Sequence, residues 1–221
     1  MLAKIDKTTY RERVYNELKS NIVLGKLRPG QAITLKELSE QFGVSIIPIR
    51  EALFMLESEK IIVSESNKCM NVSQLNPVEF RELMDLRLNL ETQVIAKSCE
   101  NHEEAAVAII EQLYEKLVKA VNNPLKYITF NRDFHFQLYS HSGLPNTISI
   151  IENLWARVGP YIFIYTERTG RMRSINLHRD MFEAFRDRDR NNIVSSLRED
   201  IQNSEQEISR YLEAGQMEND I

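Results

Sequence analysis

Arg87 stands among apolar residues. Leu83, Leu86, Leu90 and Val94 recur at helical spacing around it, which predicts a guanidinium held close to a core, where an unpaired charge is costly. Two partners suit it. One is the carboxylate of a bound small molecule, which the planar guanidinium can grip through two parallel hydrogen bonds. The other is Glu91, one helical turn on. Arg157, Tyr161 and Tyr165 could line the same cavity, although aromatic side chains at this spacing serve equally as plain core. Cys69 and Cys99 are too few for a disulfide framework and read as free thiols of an intracellular protein. No obvious general base or nucleophile sits at the spacing of an enzymatic motif.

The elements that must position these side chains fall into two groups. A chain of 221 residues suffices for one large domain or two small ones. Its charge is uneven: residues 1–75 carry 11 basic and 9 acidic side chains, the remainder 17 and 23. A mildly basic head on an acidic body is compatible with nucleic-acid binding by the head alone, despite the net charge of −4. No apolar run approaches the roughly 18 residues needed to cross a bilayer. Met1 to Lys7 lacks the apolar stretch of an export signal. A cytoplasmic protein without membrane association is expected.

Within the head, Val14, Leu18, Ile22 and Val23 give helical spacing from Thr9 to Leu24, ended by Gly25 and the turn Leu27-Arg28-Pro29-Gly30. Thr34 and Glu37 have the spacing of a capping box, which predicts a short helix from Leu35 to about Phe42. Gly43 permits a tight turn before a third helix at about Ile47–Glu59, with Pro48 tolerated in its first turn. Two β-type segments, 61–63 and 70–72, flank a polar stretch containing Asn67 and Lys68. Three helices and a small hairpin outline a winged helix-turn-helix, whose third helix enters the major groove.

The stretch from Val14 to Val72 resembles the GntR family of bacterial transcription regulators. The likeness is carried by Leu27-Arg28-Pro29-Gly30, by the run Leu38 to Ser45, and by Pro48-Ile49-Arg50-Glu51-Ala52-Leu53. It implies a homodimer reading a palindromic double-stranded operator, with DNA contacts at Lys36, Ser45, Ile46, Ile47, Pro48, Arg50, Asn67 and Lys68. The chain departs from the family where Ile46 replaces the usual arginine: an arginine reads guanine by two hydrogen bonds, whereas isoleucine offers only an apolar contact. Lys60 and Cys69 stand where relatives often have glycine.

Asn76-Pro77 marks a boundary, an N-cap followed by proline at the first helical position. This divides the chain into a DNA-binding domain, 1–75, and an all-helical domain, 76–221. Helices are expected at about 77–99, 102–121, 124–142, 145–168, 172–188 and 190–213. Through Arg87 with Leu90-Glu91, Phe134-His135, Ser142-Gly143 and the stretch His178 to Phe185, this part resembles the FCD ligand-binding domain of FadR-type GntR regulators. Trp155 to Pro160, together with Ser45-Ile46, resembles the McbR-like members.

The resemblance implies more. Many FCD domains hold a divalent metal with one aspartate and three histidines, and those positions fall here on Asn131, His135, His178 and Asp200. Asn131 and His135 share a helix face. His178 and Asp200 each lie 11 residues from the helix break near Asp189, which sets them at one height in an antiparallel hairpin. The altered ligand set of two imidazoles, a carboxylate and an amide oxygen is adequate for Zn²⁺, Ni²⁺, Mn²⁺ or Fe²⁺. The alternative is a pair of buried histidines bonded to neighbours. The expected fold is mainly α, a winged helix-turn-helix on an FCD-type bundle. The expected function is a non-enzymatic, effector-responsive regulator, most simply a repressor. The competing readings are a constitutive DNA-binding protein with a purely dimerising bundle, and a metal-dependent enzyme using His135, His178 and Asp200.

Overall fold

The computed structural model describes residues 9–66, 69–168 and 171–214. The head opens with α1 (Tyr10–Val23), started by a full capping box in which Thr9 and Glu12 each bond the other's backbone N–H. Strand β1 (Ala32–Thr34) leads into α2 (Leu35–Phe42) and, after Gly43 in a left-handed turn, α3 (Ile46–Ser58). Strands β2 (Ile62–Ser66) and β3 (Cys69–Val72) complete an antiparallel sheet in the order β1-β3-β2, with Ile33 opposite Met70 and Val63 opposite Asn71. The expected hairpin is thus extended by a third strand. The box expected at Thr34 is only half made. Its hydroxyl does accept from the Glu37 N–H, but the Glu37 carboxylate takes the hydroxyl proton rather than the backbone N–H. Lys60 adopts a left-handed φ of 58°, which explains why glycine suits that position.

The bundle consists of α4 (Pro77–Asn101), α5 (Glu104–Lys119), α6 (Pro124–Tyr139), α7 (Pro145–Arg168), α8 (Arg171–Arg186) and α9 (Arg190–Glu213). A single 3-10 turn, Ser140–Ser142, follows α6. Sharp starts come from caps: Asn76 with Glu79 before α4, Asn123 before α6, and Asp189 before α9. One apolar core runs from Phe80 and Val94 through Phe134, Leu154 and Phe185 to Leu197 and Ile208.

Helix α7 belongs to both domains. Ala156 is fully buried in the head's core with Leu18, Ile49, Leu53 and Leu56. Gly159 faces the backbone of Val23, and Gly25 at the end of α1 lies under the ring of Phe163. Pro160, the next residue, removes the N–H that would bond the Ala156 carbonyl. At the end of α3, the Glu59 carboxylate accepts from Lys19 at 2.6 Å and from the Tyr15 hydroxyl, both on α1. Asn153 of α7 donates to its backbone carbonyl and its carboxylate. The head is therefore fixed to α7 by close apolar contact and by one shared carboxylate.

A glycine-to-alanine change in a helix ordinarily gains about 1 kcal/mol. At Gly159 the added carbon would lie 2.8 Å from the Val23 carbonyl oxygen and 3.0 Å from its Cα, so α1 and α7 must separate. Gly159→Ala is expected to lower stability by about 1–3 kcal/mol in denaturant titration. A gain would show that the two helices have room to spare.

Candidate functional site

The side of α3 expected to contact DNA is exposed. Gly43, with φ 64°, sets the turn between α2 and α3, and Ser45 caps α3 with its hydroxyl uncommitted to the helix. Ser45, Ile46, Ile47 and Arg50 are exposed and Pro48 is half-buried, while Ile49, Leu53 and Leu56 point into the core. Lys36, at the start of α2, is exposed within 3.9 Å of Glu40. Asn67 and Lys68 lie outside the described residues. Sequence reasoning overlooked Phe54 and Glu51, both exposed on this side of α3. The signal was available, because 47, 50, 51 and 54 follow helical spacing.

Inside the bundle, α6 brings Asn131 and His135, α8 brings His178 and α9 brings Asp200. The expected hairpin geometry holds, for Asp189 caps α9 and the ligand atoms of His135, His178 and Asp200 lie within 4.8 Å of one another. His135 and His178 are fully buried and Asp200 partly so. Asn131 is buried one turn before His135 on the same helix.

The hydrogen bonds around the two imidazoles place a proton on Nδ1 of each. Nδ1 of His178 meets the carbonyl of Ser174, which can only accept, so Nδ1 carries a proton. Nδ1 of His135 lies 3.1 Å from the Tyr139 oxygen, and the Tyr139 hydroxyl donates its own proton to Glu91 at 2.6 Å. The Tyr139 oxygen therefore accepts from Nδ1–H of His135, which leaves Nε2 of that neutral ring as an acceptor. The two Nε2 atoms face each other at 3.0 Å, with an Asp200 oxygen 3.7 Å from one of them. The contact is satisfied either by a hydrogen held between the two nitrogens or by a metal cation lying between them and the carboxylate. Each ring also carries the N–H anchor that metal-binding histidines need. The donor set fits a divalent transition metal.

Burial first, then His178 and Arg87, push the His135 pKa well below the ordinary histidine value, so the ring is a neutral ligand rather than an imidazolium. Burial raises the Asp200 carboxyl, opposed by His178 and by a hydrogen bond from Ser174.

Of the two partners open to Arg87, the structure supplies Glu91: Nε donates at 2.6 Å and Nη2 approaches at 3.4 Å. The guanidinium also stacks over Trp155, 4.5 Å from the ring centre. Glu91 further accepts from Trp155 Nε1 at 2.9 Å. The charge of Arg87 is thus matched within the protein. Tyr161 is a structural tie, its oxygen accepting the Leu75 N–H at 2.6 Å at the start of the bundle. Tyr165 is buried, and Arg157 is partly buried with an Nε that finds no hydrogen-bond partner among the described residues. Trp155 lies 5.5 Å from the His135 ring and also lines a cleft of about 340 Å³ between α1 and the bundle, with Tyr15, Lys19 and Arg132.

A winged helix-turn-helix packed on a helical bundle with an interior polar cluster is the build of a two-domain transcription regulator. Residues 10–72 match the family described as bacterial regulatory proteins, gntR family, and residues 82–203 match the FCD domain. The HTH-type transcriptional regulator McbR of Escherichia coli K12 is 33% identical over 150 residues, 67% of this chain and 68% of that protein. The gluconate operon transcriptional repressor of Bacillus subtilis is 26% identical over 217 residues, 92% and 87% of the two chains. The solved structure of E. coli McbR/YncC superposes with a TM-score of 0.86 at 28% identity, covering 91% of this chain and 98% of that one. The chain belongs to the GntR family, as a FadR-type member with an FCD domain, and is a transcription regulator rather than an enzyme. No helix among the described residues is long and apolar enough to cross a membrane.

In chelator-treated protein, the unfolded chain binds a proton at residue 135 more readily than the folded one. The contribution of His135 to stability is therefore complete above about pH 6.5 and is lost as pH falls below it, by at most about 1.4 kcal/mol per pH unit. The unfolding midpoint should drop from pH 7 to pH 5 more steeply in the parent than in His135→Gln. Parallel curves would show that His135 does not titrate in this window.

Proposed function

We propose that the protein is an effector-responsive repressor that binds a palindromic operator as a homodimer, and that a divalent metal held by His135, His178 and Asp200 forms part of its effector pocket. The observation that carries this reading is the convergence of two Nε2 atoms, 3.0 Å apart, with a carboxylate beside them. Asn131, buried one turn before His135 on α6, would lend an amide oxygen. A metal with open positions supplies a Lewis-acidic seat for the carboxylate of a small effector.

The chain's own residues supply the link to DNA. Tyr139 and Ser174 hold the Nδ1 atoms of the two imidazoles and so turn their Nε2 atoms toward each other, and Glu91 holds Tyr139 and Trp155. Trp155 stands against His135 on one side and the cleft under α1 on the other. On the same helix, Ala156 enters the head's core and Asn153 grips the end of α3 through Glu59. A small displacement of α7 by an occupant beside Trp155 would re-aim α3 in each protomer, so that the spacing of two half-sites fits one state only. Coupling of this kind typically amounts to about 1–3 kcal/mol.

Elemental analysis of gently purified protein should find about one transition-metal ion per chain, lost in the double variant His135→Ala/His178→Ala. No metal in either, even after reconstitution, would make the histidines structural and overturn the metal-bearing pocket. Arg50→Ala should weaken binding to an operator selected from random duplex by about ten- to a hundredfold, through loss of a base contact. Its effect on bulk random duplex should be smaller, and equal losses would make Arg50 a phosphate contact instead.

A further inference from the structure

We infer that the exposed side of α3 reads the C5-methyl groups of thymines in the operator. The inference rests on the DNA-binding reading above and names the base feature that the helix recognises. Over residues 46–54, at 100° per residue, Ile46, Arg50, Phe54, Ile47 and Glu51 fall in that order within an arc of about 140°. The buried Ile49, Ala52, Leu53 and Leu56 occupy the opposite side. Three of the five outward residues are large and apolar, and they are well exposed: Ile46 44%, Ile47 70% and Phe54 54%. A short helix whose core side is already filled has no folding use for a second apolar side.

The occupant follows from position. The α2–turn–α3 arrangement lays the outward side of α3 in the major groove, with its first turn at the base edges. Lys36 and the uncommitted hydroxyl of Ser45 flank it as polar anchors. Isoleucine and phenylalanine offer no hydrogen bond, so among the groups displayed in that groove they favour one, the methyl of thymine. Arg50, between Ile46 and Phe54 on the arc, and Glu51 at its edge carry opposite charges; their hydrogen-bonding counterparts are guanine and cytosine. The half-site is therefore expected to place thymine methyls beside a G·C pair.

The test uses the whole protein and an operator selected from a random duplex pool. Replacing each half-site thymidine by deoxyuridine removes the methyl and leaves the pairing intact. Affinity should fall about fourfold per methyl contacted, the value of burying one carbon. Ile47→Ala and Phe54→Ala, both at exposed positions, should abolish that sensitivity while keeping affinity for random duplex. Equal affinity for the thymidine and deoxyuridine operators would overturn the inference and leave operator binding intact. Failure to enrich any sequence would overturn the DNA-binding reading, and this inference with it. Capture of a protein partner by α3 in the absence of DNA, lost in the same variants, would reassign the face.

Discussion

The polar interior of this protein is organised by the carboxylate of Glu91. It is fully buried and accepts from three donors on three helices: Arg87 on α4, Tyr139 on α6 and Trp155 on α7. A buried carboxylate without such partners would be prohibitively costly, so each donor is held where the charge needs it. The consequences spread outward. Because Tyr139 must give its proton to Glu91, its oxygen is left to accept from His135, and this sets the imidazole's reactive nitrogen toward His178 and Asp200. Because Trp155 must reach the same carboxylate, α7 is pinned in rotation, with Ala156 and Gly159 turned toward α1. One charge thus determines both the ligand character of the interior site and the face that the bundle offers to the head.

Helix α7 is where the two domains become one body. Gly159 allows contact with the Val23 backbone, and Pro160 weakens the helix's own bonding at the crossing. Asn153, a turn and a half earlier, holds Glu59 at the end of the reading helix. Chemistry in the bundle and geometry at α3 are therefore joined by a few rigid contacts rather than by a flexible linker. Such a joint suits a device in which small displacements must matter, since packed interfaces shift between discrete arrangements more readily than they deform.

Much of this architecture was legible in the residue order. Asn76-Pro77, Asn123-Pro124 and Asp189 mark helix starts through chemistry that acts within a few residues, and the bundle helices fall within a few residues of expectation. The equal spacing of His178 and Asp200 from Asp189 placed them together, since a hairpin converts sequence distance into height. Strand β1 was missed because three residues are too few to display alternation. Arg87 shows the boundary between local and long-range information. Its need for an anion could be read from neighbouring leucines, and Glu91 was available one turn on. That Trp155 and Tyr139 share that anion depends on contacts spanning 64 and 48 positions. Tyr161 likewise bonds Leu75 across 86 positions, which no local pattern announces. Phe54 was overlooked for another reason, because an apolar residue in a helix is ordinarily assigned to the core.

The presence of Ala156 inside the head's core has a consequence for how such regulators diversify. A DNA-binding head that borrows part of its interior from the helical bundle cannot be exchanged freely with the head of a relative. A recombined chain would have to bring matching residues at 23, 25, 156, 159 and 163, or leave a void or a clash at the joint. Substitution on the outward side of α3, where side chains lie outside the core, carries a lower structural cost. The lineage is therefore free to change what it reads, and constrained in how its two halves meet.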